Sequence, residues 1–190
     1  SGDIETLALL VRKYFGDAQT FAPRLRLTEL CAQAGVELRH DSLPGLARLE
    51  AWDAKGQYRV LCSLNPKLTN VREQNYALAH ILGHVFLDLH PKMAKGELQR
   101  SVFEETQSPL LRFLQSGKGL SAQEAAADAF ACALLLPRGM VRKAYATLSG
   151  IEDTAAFFHV DRQLLEVRLS QIGISRKPSA AVQAPVKTTA

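Results

Sequence analysis

The stretch Ala79-His80-Ile81-Leu82-Gly83-His84 lies in an apolar-rich run that predicts one long helix over residues 71–90, ending before Pro91. Two histidines four positions apart project from one face of a helix, one turn apart. Both imidazoles can then reach a single metal ion, and catalytic zinc takes three protein ligands and keeps one position open. Histidine pairs with this spacing also occur in packing and capping roles, so both interpretations stand at this point.

Glu124 and Asp128 form a second pair with helical spacing, 40 residues after His84. Ser121 is a suitable N-cap for the helix that carries this pair, and we expect the helix to run to Leu136. Glu124 fits the role of a third metal ligand, and Asp128 fits an acceptor that fixes the ring of a ligand histidine. The alternatives are a capping-box glutamate and a solvated aspartate.

The rest of the chain predicts an α+β fold in which a small β-sheet with a hairpin packs on the histidine helix, with a mostly helical C-terminal half. Strand-like sequence is confined to residues 36–64, and helical patterns continue to about Ile172. The turn composition of residues 53–57 indicates the hairpin. The predicted elements before the histidine helix are helices over 3–16 and 25–34, a strand over 36–40, and hairpin strands over 46–52 and 58–64.

Together these segments resemble the ImmA/IrrE family of zinc metallopeptidases. Tyr76-Ala77-Leu78-Ala79-His80, followed by Gly83-His84, is similar to the segment that carries H-E-x-x-H in that family. Residues 124–131, running into Leu135-Leu136-Pro137, are similar to its second signature. The resemblance covers roughly residues 5–173 and implies a single metallopeptidase-like domain.

The resemblance implies a zinc site with His80, His84 and Glu124 as ligands and Asp128 as the partner of a ligand histidine. In the family, the residue after the first histidine is a glutamate that takes a proton from the attacking water and delivers it to the leaving amine. Ile81 occupies that position here, and isoleucine can do neither. General acid–base help of this kind is worth about 10²–10⁴ in rate.

The sequence therefore predicts a degenerate metallopeptidase with a regulatory role, which binds a protein or peptide partner such as a repressor-like regulator. Family members of this type cut or bind repressor proteins in bacterial stress control. One alternative is an active zinc peptidase with a displaced base, for which Glu104 and Glu105 are the candidates. Another is a DNA-binding regulator with half a helix-turn-helix in residues 151–172, although Asp161 and Glu166 place negative charge there.

Domain limits and compartment follow from composition. We expect one domain over residues 3–173, with a variable insert at 91–120 that contains a helix near 98–115, and a disordered tail at 175–190. Three cysteines without paired spacing favour reduced core thiols and a cytoplasmic protein. The apolar runs are too short for a membrane span.

His90 and Cys132 stand near the two pairs, but a helix-terminal histidine and a core cysteine are the simpler interpretations.

Overall fold

The structure, a computed structural model, describes residues 2–15, 23–115 and 120–175 and has the predicted α+β architecture. Its sheet has the strand order β1-β3-β2-β4, with β1 parallel to β3 and the other pairs antiparallel. The strands are β1 Val36–His40, β2 Ala47–Asp53, β3 Tyr58–Leu64 and β4 Arg100–Glu105. The helices are α1 Gly2–Phe15, α2 Leu27–Gln33, α3 Val71–His84, α4 His90–Ala94, α5 Pro109–Leu114, α6 Ala122–Leu135, α7 Arg138–Thr147, α8 Ile151–Phe158 and α9 Arg162–Gln171.

The predicted hairpin is confirmed as strands β2 and β3. Its two central turn residues, Lys55 and Gly56, both have positive φ, at 59° and 84°. That combination defines the type I′ turn, whose twist matches the twist of the strands it joins. Asp53 stabilises the turn because its Oδ1 accepts a hydrogen bond of 2.6 Å from the Gly56 backbone N–H.

Helices α3 and α6 pack closely against each other at the centre of the molecule. A Cβ added at Gly83 would lie 2.8 Å from the Cα of Ala127, so the glycine lets the two backbones approach. Each helix begins at a side-chain cap: Asn70 accepts from the backbone N–H of Arg72, and Ser121 accepts from that of Glu124. This contact sets the two predicted site segments face to face.

Helix α1 is held to the C-terminal half by two buried arginines. Arg12 is 1% exposed and donates to the backbone carbonyl of Leu134 at 2.5 Å. Burial lowers the pKa of Arg12 to about 10. Arg168 of α9 is 3% exposed, forms an ion pair with Glu5 at 2.6 Å and donates to the carbonyl of Leu136.

The prediction of one regular helix over residues 71–90 is wrong in its second half. The α-helix ends at His84, and residues Val85–Leu89 form a π-helical segment. The chain then continues as α4, which has Pro91 in its first turn instead of ending before it. Proline is tolerated there because the backbone N–H groups of a first turn need no helical partner.

The predicted helix near residues 98–115 is also wrong in its first part, and strand structure is not confined to residues 36–64. Residues 100–105 form β4, an edge strand that pairs with β2. Its burial alternates along the strand until Glu105, which is 3% exposed. The short helix α5 follows from Pro109, capped by Ser108. Whether residues 91–120 form a variable insert stays a prediction.

The structure also bears on the predictions for the cysteines, the membrane spans and the C-terminal tail. Cys31, Cys62 and Cys132 are free and buried, as expected of core thiols. Within residues 2–15, 23–115 and 120–175, every helix is too short or too polar to cross a membrane. Residues 116–119, at the end of the predicted insert, lie outside the described residues, and so does the predicted tail apart from Ser175.

Gly83→Ala should destabilise the fold, because its methyl group would collide with the α6 backbone at Ala127. Overpacking of this kind costs about 1–3 kcal/mol, measurable by urea denaturation. Gly139→Ala is the matched control, since a Cβ at Gly139 in helix α7 meets open space. Equal stability of the two variants would contradict a tight α3–α6 contact.

Candidate metal centre

The two histidines of α3 present their rings to one point. His80 Nδ1 lies 2.9 Å from Asp128 Oδ1, and His84 Nδ1 lies 2.9 Å from Asp88 Oδ2. Because an ionised carboxylate can only accept, each Nδ1 carries the proton in these pairs. The Nε2 atoms, 3.2 Å apart, are then the ring atoms left to bind a metal, and Arg112 Nη2 lies 3.3 Å from His80 Nε2.

Glu124 reaches the same point from helix α6. Its Oε2 lies 3.2 Å from His80 Nε2 and its Oε1 lies 3.4 Å from His84 Nε2. Ser121 caps the helix by accepting a hydrogen bond from the Glu124 backbone N–H. The Glu124 side chain points to the histidines and not back to the cap. The predicted convergence of His80, His84 and Glu124 is therefore present, while their role as ligands stays a prediction.

Asp128 is buried at 2% exposure beneath His80. Besides the His80 ring, its Oδ1 accepts a hydrogen bond of 3.0 Å from the Tyr76 hydroxyl. Burial first, and the neighbouring Asp128 charge second, raise the pKa of Tyr76 well above its usual value, so the phenol stays a donor. Asp128 is thus a fixed acceptor, not a solvated surface aspartate.

The structure adds two site residues that the sequence analysis did not name, Asp88 and Arg112, and places Glu105, named there only as a possible displaced base, beside His80. Asp88 holds His84 from the π-helical segment and accepts a bond of 3.2 Å from Gln123. Glu105, at the end of β4, has its Oε1 3.1 Å from His80 Nε2. Arg112 of α5 bridges two carboxylates, with Nη1 2.5 Å from Glu105 Oε2 and Nη2 2.8 Å from Glu124 Oε2.

The density of carboxylates decides the electrostatics of the site. Burial disfavours the His80 imidazolium, but hydrogen bonds that the ring donates to Asp128, Glu105 and Glu124 outweigh burial and raise the pKa of His80 to about 10. Hydrogen bonds from His80 and His84 lower the pKa of Glu124 well below its usual range. The site therefore favours positive charge at His80 Nε2. A metal ion there would replace the His80 proton, because zinc binds the neutral imidazole.

The donor set fits a metal ion. Zinc bound to four donors at about 2.0–2.1 Å requires donor pairs roughly 3.3 Å apart, the edge of a tetrahedron. The two Nε2 atoms lie 3.2 Å apart, close to that edge. Glu124 approaches them with both oxygens, Oε2 at 3.2 Å from His80 Nε2 and Oε1 at 3.4 Å from His84 Nε2. Glu124 Oε2 is buried and also lies 2.8 Å from Arg112 Nη2, so this oxygen faces positions where a cation is favoured.

The walls of the site are apolar. Phe103 of β4 stacks on the His84 ring with centroids 4.2 Å apart, which joins the sheet to the histidine helix. Ile81 is 2% exposed and belongs to the core. His90 packs on Phe86 and stands outside the cluster, and Cys132 contacts Gln171 at 3.6 Å.

The chain was compared with known families and proteins. A sequence model of the IrrE N-terminal-like domain, a peptidase family, matches residues 47–170, which is more than half of the chain. The matched stretch runs from β2 into α9 and contains all the residues of the site. No curated protein matches the chain.

Asp128→Asn should weaken zinc binding by about 10–100-fold, the usual cost of losing a partner that orients a ligand histidine. The neutral amide accepts the His80 Nδ1 proton less strongly, so the Nε2 lone pair becomes a poorer donor. Competition with a zinc-chelating dye measures the affinity. Asp153→Asn, on the exposed face of α8, is the control. Unchanged zinc affinity in Asp128→Asn would show that Asp128 does not support a ligand histidine.

Proposed function

The chain belongs to the IrrE N-terminal-like domain family, and we propose that it is a degenerate metallopeptidase domain that holds zinc and acts by binding a protein or peptide partner. The observation that carries the proposal is Ile81. It directly follows the first ligand histidine, where a zinc peptidase of the H-E-x-x-H type needs its glutamate. A buried aliphatic side chain there can neither accept nor deliver a proton.

The remaining residues divide the work of holding the ion. His80, His84 and Glu124 supply the donor atoms, while Asp128 and Asp88 keep the protons on the two Nδ1 atoms. Bound zinc supplies Lewis acidity and lowers the pKa of water. Peptide cleavage further requires a group that carries a proton to the leaving amine, and Ile81 removes that carrier. A peptide can then be bound by the domain without being cut.

The regulatory part of the proposal rests on this loss of one chemical step without loss of the site. We propose a cytoplasmic protein, in keeping with its three buried free thiols, whose partner is a repressor-like regulator. Binding to this domain changes the availability of that regulator without proteolysis.

An active peptidase with a displaced base is the second candidate, and one observation favours it. Glu105 places a carboxylate at the metal-facing side of His80, whereas Glu104 is exposed and lies 3.5 Å from Arg48 on the outer face of the sheet. However, Glu105 is tied to Arg112 at 2.5 Å. This ion pair holds one carboxylate oxygen of Glu105 in place, whereas a base must turn from the attacking water to the leaving amine.

A DNA-binding role has less support from the contacts of helix α9. Arg162 pairs with Glu152 at 2.6 Å and with Glu166 at 3.1 Å. Arg168 is buried against Glu5. Both arginines of the helix are committed within the protein, while binding to DNA requires several phosphate contacts.

The wild-type protein should hydrolyse an unstructured protein such as casein no faster than His84→Ala, because it has no proton carrier at residue 81. Ile81→Glu should raise hydrolysis, and Ile81→Gln, of equal size but without a titratable group, should not. Chelation should abolish the activity of Ile81→Glu. Wild-type turnover that chelation removes, and that Glu105→Gln abolishes while zinc remains bound, would instead establish the displaced base.

A further inference from the structure

Glu105 is held in place by the sheet and not by a flexible loop. It is the last residue of β4, in register with Ala47 of β2, and its carbonyl accepts a 2.7 Å hydrogen bond from the backbone N–H of Leu46. A Cβ added at Gly45 would lie 2.5 Å from that carbonyl oxygen, so glycine is what lets the chain pass there. The Glu105 backbone is therefore fixed, and its side chain is buried with 4% exposure.

The fixed side chain brings a fourth donor to the metal centre. Glu105 Oε1 lies 3.1 Å from His80 Nε2, again close to the edge of a tetrahedron around zinc. One donor atom each from His80, His84, Glu105 and Glu124 can be chosen so that all four lie within 4.8 Å of one another. Three donors of a catalytic site leave room for water, whereas four protein donors fill a tetrahedral zinc ion.

We propose that Glu105 is the fourth protein ligand and closes the position that a zinc peptidase keeps open. The proposal rests on the metal site proposed above and deepens it: the ion is held as in a structural site, with two imidazoles and two carboxylates. It also gives a second reason for inactivity besides Ile81, because substrate and water lack a free coordination position.

Arg112 is the positioning residue for this arrangement. Its guanidinium bonds to the outer oxygen of Glu105 and reaches Glu124, so it aligns the two carboxylates. It also offsets charge, since Asp88, Asp128, Glu105 and Glu124 together carry more negative charge than one divalent ion neutralises. A second cation beside the ion lowers the electrostatic cost of collecting four carboxylates.

Cobalt(II) in place of zinc tests the proposal, because its visible spectrum reports coordination number and exchangeable ligands. The full chain is loaded with cobalt as wild type, Glu105→Gln and Glu104→Gln, and each is titrated with azide. We expect the wild type and Glu104→Gln to show an intense tetrahedral spectrum that azide leaves unchanged. Glu105→Gln should respond to azide and bind zinc at least about tenfold more weakly, since even partners outside the ligand set cost about 10–100-fold.

A wild-type spectrum that shifts with azide would overturn the proposal, whether or not Glu105→Gln folds, because it would show an open position. Failure of the wild type to take up cobalt or zinc would overturn it as well. The proposed inactivity is judged separately by hydrolysis of casein. There, Ile81→Glu combined with Glu105→Gln should exceed Ile81→Glu alone, and equal rates would count against a closed site.

Discussion

The close packing of α3 against α6 is the constraint on which the rest of the molecule depends. Gly83 and Ala127 meet backbone to backbone, and this contact puts His80 and His84 opposite Glu124 and Asp128. Neither pair forms a site alone, since the α3 pair supplies two donor atoms and the α6 pair supplies Glu124 as a third donor and Asp128 as the acceptor that orients His80. A larger residue at Gly83 would force the two helices apart and disturb this arrangement.

The second constraint is charge. Four carboxylates surround two imidazoles and one guanidinium in a largely buried space, and such a group is stable only when cations balance it. The burial of the site beside the Phe103 ring strengthens these interactions, because a lower effective dielectric increases the attraction between opposite charges. The same packing that makes the site costly to assemble makes it selective for a positively charged occupant.

The sequence predicted the parts of this structure that depend on local patterns. Three features are determined by residues close together in the chain. They are the spacing of His80 and His84, the spacing of Glu124 and Asp128, and the turn at Lys55-Gly56. Glu105 was only a remote candidate, because its place depends on β4 pairing with β2, some 50 residues earlier in the chain. No local pattern in residues 98–115 indicated that pairing, and a helix was predicted there instead.

The π-helical segment Val85–Leu89 has a consequence for how the protein can change in length. A π turn accommodates one more residue than an α turn at nearly the same place in the fold. Gain or loss of one residue at the end of this segment, after Asp88, would leave His84 and its partner Asp88 in place and alter only the approach to α4. The same change between His80 and His84 would rotate one imidazole by roughly 100° about the helix axis. An insertion between His80 and His84 would therefore disrupt the site, whereas an insertion at the end of the π-helical segment would not.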